Sequence, residues 1–103
     1  MNKNYVYLIR SDEGMYKIGV SRNPNKRISQ LQTGKSSPLK LVSIFETQDA
    51  SKIERALHRR FNYCKVNREW FNLSIFDEYN FNEYCKVIEE SINKLKELNN
   101  IFI

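Results

Sequence analysis

No apolar run in the sequence is long enough to cross a bilayer, and no basic start leads into an apolar signal segment. Both absences point to a soluble, cytoplasmic chain with no membrane partner. Cysteine is scarce. Cys64 and Cys85 are the only 2, and they lack the close spacing of a zinc or redox pair. They are expected as small buried hydrophobes and not as a disulfide. With 3 glycines and 2 prolines there is no linker, and no repeat or low-complexity tract breaks the 103 residues. That length suits one domain, 1–103, with a single core and no separate recognition domain. No small-molecule cofactor is expected.

Acidic residues are also scarce where they would matter most. Residues 17–69 hold twelve Lys/Arg against four Asp/Glu, a net +8, whereas residues 70–103 carry a net −3. A basic surface attracts polyanions, because each neutralised phosphate releases counterions. Lysine-rich small proteins are often merely well solvated, but concentration of the charge in one segment favours a nucleic-acid partner.

What is present begins with two short strands rich in β-branched and aromatic residues, Tyr5–Ile9 and Met15–Val20. Ser11-Asp12-Glu13-Gly14 supplies the turn between them. Strand alternation puts Val6, Leu8, Tyr16, Ile18 and Val20 on one apolar face. Tyr5, Tyr7, Lys17, Gly19 and Ser21 fall on the other, an odd set for a plain core. Asn23-Pro24 opens a first helix and Gly34 stops it, with Arg27 on the flank of the Ile28/Leu31 stripe. Leu39–Glu46 reads as a third strand, apolar enough to be central or well covered.

Asp49 is the expected cap of a second helix, from Ala50 to about Asn62. Ile53, Leu57 and Phe61 form its buried stripe, while Lys52, Arg55 and Arg59 face solvent. Glu54 and His58, four apart, stack at the stripe's edge. Taken alone, Glu54 fits a helical ion pair with His58, Arg55 or Arg59, or a divalent-cation ligand in a basic segment. Lys65–Arg68 reads as a polar connection and Glu69-Trp70-Phe71 as a short extended piece. Trp70 and Phe71 are expected to close the core, with base stacking as the alternative for Trp70. Asn80 and Glu83 have the form of a helix start. Phe81, Tyr84, Cys85, Ile88, Ile92, Leu95 and Leu98 then give an apolar face, about 81–98, to cover the sheet or to form a homodimer contact.

Tyr5-Val6-Tyr7, Lys17-Ile18-Gly19 and the onward spacing through Ser21-Arg22-Asn23 to Lys26-Arg27 resemble the GIY-YIG nuclease superfamily. Glu54-Arg55-Ala56-Leu57-His58-Arg59-Arg60-Phe61 and Glu69-Trp70-Phe71 are similar to its small phage and meiotically up-regulated gene type branch. The likeness runs in order over residues 5–73 and leaves the last helix outside. It implies a small α/β (α+β) domain, a three-stranded and mainly antiparallel sheet flanked by helices. It further implies metal-dependent hydrolysis of a phosphodiester in DNA. In that scheme Tyr7 is the base or its relay, Lys17 favours the phenolate, and Arg27 offsets phosphoryl charge. Glu54 would hold Mg2+ or Mn2+. His58 contacts phosphate, protonates the leaving oxygen, or simply caps packing. Arg22, Lys26, Arg27 and Lys35 would contact nucleic acid. Lys17 stands where most of the superfamily has a second tyrosine. Two alternatives follow: a nucleic-acid binding module with little or no cleavage, and a protein-interaction domain working through the last helix.

Overall fold

Hairpin chemistry starts the structure. Strand β1 (Asn4–Ser11) turns through Gly14, at φ +85°, into antiparallel β2 (Tyr16–Ser21), with Val6 opposite Val20, Tyr7 opposite Gly19, Leu8 opposite Ile18 and Ile9 opposite Lys17. This is a computed structural model, and it describes residues 4–102; residues 1–3 and 103 of the expected domain lie outside the described residues. Helix α1 (Pro24–Gln32) follows, its first turn closed by the Asn23 side chain accepting from the Lys26 N–H at 3.1 Å. Gly34, at φ +81°, turns the chain out of it. Strand β3 (Leu39–Thr47) pairs with the other edge of β1, and a bulge between Leu8 and Ile9 shifts its register.

Helix α2 (Ala50–Arg60) then crosses the face made by Val6, Leu8, Tyr16 and Ile18. Ala50, Ile53, Leu57 and Phe61 bury into that face and, with Phe71, Leu73, Phe81 and Cys85, make the core. Truncating Ile53 or Leu57, each 0 % exposed, would cost about 2–5 kcal/mol. Asp49 does not cap α2 with its side chain; the carboxylate instead accepts from Lys96 Nζ at 3.0 and 3.2 Å. The helix stops at Arg60, short of the expected Asn62, because Asn62–Cys64 tighten into a 3-10 turn.

The sheet is fully antiparallel but has five strands, not the three expected. Lys65–Arg68 is not simply a polar connection. β4 (Lys65–Asn67) and β5 (Trp70–Phe71) form a small hairpin added to β2, in the order β3-β1-β2-β5-β4. Its turn puts Arg68 at φ +43°, the left-handed region. Strands of three and two residues are too short for alternation to show. Helix α3 (Ile75–Tyr79) was not expected either. It is held by a Ser74/Asp77 capping box and by Glu78, which accepts from Arg10 at 2.7 Å and Tyr16 at 2.8 Å.

Helix α4 (Phe81–Phe102) packs against α2 and β3. Phe81 and Cys85 are fully buried, and Ile88 and Ile92 pack on the core. Leu95 and Leu98 are 61 % and 44 % exposed, so the covering face ends near Ile92 and does not reach residue 98. A helix of 22 residues runs roughly 33 Å, longer than the body it covers needs. Among the described residues, no helix is long and apolar enough to cross a membrane.

Candidate functional site

Tyr7 and Gly19 face each other on the side of the sheet turned away from the α2 core. The Tyr7 ring lies across Gly19, where an added Cβ would overlap the phenol oxygen and the adjoining ring carbons. Only glycine admits that approach. Tyr7 is 2 % exposed and Lys17, one pair further along, 7 %. On this face Tyr7, Lys17 and Gly19 are buried, and Tyr5 and Ser21 are partly exposed. A buried ammonium needs a partner. Lys17 Nζ donates to Glu69 Oε1 at 3.1 Å, and the Ile18 N–H donates to the Glu69 carbonyl at 3.2 Å.

The electrostatics around Tyr7 define the cluster. Burial raises its pKa most, hydrogen bonding and charge from the Arg27 guanidinium pull it back, and the carboxylates of Glu69 and Glu54 push it up again. The net direction is upward, so the resting phenol keeps its proton at neutral pH. Arg27 of α1 and Glu69 thus act on Tyr7 most strongly, while Glu54 of α2 is the weakest of these influences on it and is itself influenced by Lys17 and Glu69. Arg27, on the flank of the Ile28/Leu31 stripe, is exposed. Only Pro24 is buried in α1, so the helix is peripheral and the Arg27 side chain reaches Tyr7 from an exposed position.

Glu54 is half-buried on the α2 flank beside Ile53. Burial lifts its carboxyl above the usual range; the charge of His58 lowers it, that of Glu69 raises it, and Lys17 and Arg55 lower it. It makes no hydrogen bond or ion pair among the described residues, so the expected helical pair with His58, Arg55 or Arg59 does not form. His58, one turn on, donates Nε2–H to the Ile18 carbonyl at 3.0 Å and sits edge-on to Phe71, centroids 4.9 Å apart. Since a carbonyl only accepts, Nε2 carries the proton, and His58 pins this flank of α2 to β2.

Among the described residues, no group of three or more His, Cys, Asp or Glu is gathered as a metal cage. Magnesium does not need one; it takes one or two carboxylates, waters and substrate phosphate. Glu54, unpaired among the described residues and pushed up by burial and by a second carboxylate, fits that demand. Glu69 is the site residue that sequence reasoning missed. Its signal was a carboxylate at the end of the basic segment, directly before Trp70-Phe71. Arg22 and Lys26 are exposed around the start of α1. Lys35 lies apart from them, its Nζ 4.8 Å above the Trp70 ring.

Searches among curated proteins and among solved structures each find no match. A comparison with protein families matches residues 4–97 to the T5orf172 domain. With nearly the whole chain matched, the protein belongs to the T5orf172 domain family.

Proposed function

We propose that the chain is a metal-dependent endonuclease of the GIY-YIG type that hydrolyses phosphodiester bonds in DNA. The observation that carries this is the Tyr7 phenol laid across Gly19, where the charges of one guanidinium, Arg27, and of two carboxylates, Glu69 and Glu54, bear on it. Membership of a family found in phage and nuclease-associated proteins supports it.

Each residue then has a task set by its surroundings. Arg27, exposed at its head, meets a phosphoryl oxygen through charge-assisted hydrogen bonds and offsets charge as the phosphorus is attacked. Tyr7 orients the attacking water by hydrogen bonding. Its raised pKa makes it a relay, passing its own proton to solvent water as it takes one from the attacking water, and not a resident phenolate. Glu54, with Glu69 beside it, would hold Mg2+ or Mn2+, which when bound supplies a positive charge for the leaving oxygen. His58, committed to the Ile18 carbonyl, positions the Glu54 flank.

One observation favours a second reading. Lys17 neutralises Glu69 internally, which takes the second carboxylate out of cation holding and suits a nucleic-acid binding module that cleaves weakly or not at all. Supercoiled plasmid decides between them. The nuclease nicks it with magnesium or manganese and stops in chelator. Salt-sensitive binding with no metal-dependent nicking would establish the binding module.

A further inference from the structure

Trp70, like the more exposed Tyr63, Phe76 and Tyr79, is an aromatic that the core does not use, but it alone among these four stands on the sheet beside Lys17. Its neighbour Phe71 pairs with Tyr16 and is 0 % exposed in the α2 core, whereas Trp70 is only partly buried and stands outside that core. The expectation that both close the core therefore holds for Phe71 alone. Pairing continues across three strands, Lys17 opposite Trp70 and Trp70 opposite Asn67. Residues paired directly across an antiparallel ladder share a face, so Trp70 lies on the side of Tyr7 and Lys17. Lys17 joins the two regions, its Nζ bonded to Glu69 and 5.9 Å from the Trp70 ring centroid.

Beside Trp70 lies a cavity of about 340 Å³, walled by Met15, Val66, Asn67 and Lys35 among others. Met15 and Val66 give it an apolar surface. The exposed Asn67 amide makes no hydrogen bond among the described residues, so its donors and acceptor are available to a planar polar edge. Lys35 Nζ, over the ring at 4.8 Å, is on an exposed residue beyond α1 and can exchange the ring for a phosphate. An aromatic face, a flanking cation and an available amide are what an unpaired nucleobase needs: a stacking surface, a phosphate counter-charge and an edge reader.

The geometry points to a nucleobase-stacking subsite at Trp70, one strand outward from Lys17, that takes an unpaired base next to the phosphate held at Tyr7 and Arg27. It rests on the phosphodiester reading above and names the substrate class for it: single-stranded or locally unpaired nucleic acid. Gly19, beneath the Tyr7 phenol, is two residues from Lys17, roughly 7 Å along the strand, and Trp70 is one strand across, roughly 4.8 Å. The subsite therefore receives a base adjacent to the reacting phosphate. A base inside intact duplex reaches it only by leaving its stack, which is unfavourable.

The chain has 1 tryptophan, so intrinsic emission reports Trp70 alone. In chelator, a short single-stranded DNA oligonucleotide should quench that emission, a blunt duplex of equal phosphate content should quench it less, and heparin, which can draw Lys35 off the ring but cannot stack on it, should change it least. Trp70→Ala should weaken binding of a fluorescently labelled single strand about tenfold by anisotropy, with Trp70→Phe restoring most of it. Emission that stays constant while anisotropy shows the oligonucleotide bound would overturn the subsite alone, as would equal quenching by heparin. No binding of nucleic acid at all would overturn the phosphodiester reading and this subsite with it. Quenching without metal-dependent plasmid nicking would leave the subsite standing and remove only cleavage.

Discussion

Gly19 separates folding from chemistry more cleanly than any charged residue here. Gly19→Ala forces a Cβ into the Tyr7 phenol, whose ring is packed at 2 % exposure. Overpacking of that kind costs about 1–3 kcal/mol. The variant should remain folded by circular dichroism with a lowered Tm, and lose nicking because the phenol is displaced. Unchanged nicking would mean that the Tyr7 position carries no chemistry. Glu54 gives the opposite sign. Its folded pKa lies above the unfolded value, so the native state holds the extra proton and loses stability as pH rises between the two. Glu54→Gln should therefore have the higher Tm at neutral pH, and the advantage should vanish below roughly pH 4, where both states of the wild type are protonated. Matched thermal melts at neutral and acidic pH read this directly. A variant less stable than wild type at neutral pH would show that the carboxylate is satisfied where it stands. Alternation placed Tyr7 and Lys17 on one strand face and helical spacing placed Glu54 at the edge of the α2 stripe, while their proposed roles rest on the family resemblance. Glu69 was not legible in the sequence, since its partner Lys17 is 52 residues away and no local period announces the pair.

Elements of six residues or more carried enough alternation to be read: the β1–β2 hairpin, α1, β3 and α2 all lie within a few residues of where patterning puts them. The β4–β5 hairpin and α3 did not, because three-, two- and five-residue elements are fixed by tertiary partners and caps. Length misled in the other direction for α4. Its apolar spacing continues to Leu98, yet packing stops near Ile92 because the helix outruns the body. Two truncations separate these halves. Ending the chain after Ser74 removes buried Phe81 and Cys85 and the Glu78 partner of Arg10 and Tyr16, so the product should be molten or aggregating. Ending it after Asn93 removes exposed Leu95 and Leu98 and the Lys96–Asp49 pair. Lys96 is half exposed in that pair, which should contribute no more than about 1 kcal/mol. That second product should melt cooperatively near the full-length Tm. Loss of cooperativity would mean that the protruding end of α4 is part of the fold.

Across the whole molecule, charge divides as the sequence divides it, with net +8 over residues 17–69 and net −3 over 70–103. The acidic share belongs largely to α3 and α4, and the site lies on the basic side of the chain. Binding to duplex DNA should fall steeply with salt, and Arg22→Ala with Lys26→Ala should flatten the log–log slope by about 2, roughly one for each phosphate no longer neutralised. An unchanged slope would take both residues out of the interface. The central claim is that the Glu54 carboxylate, whose charge bears on Tyr7, serves phosphodiester cleavage. Its most direct test is the magnesium-dependent nicking rate of supercoiled plasmid for wild type and for Glu54→Gln, at protein concentrations giving equal DNA occupancy in chelator. Loss of nicking with binding kept or strengthened is the result predicted, because removing the charge takes away the cation ligand and a repulsion toward phosphate together. Equal nicking rates for the two well-folded proteins would contradict it.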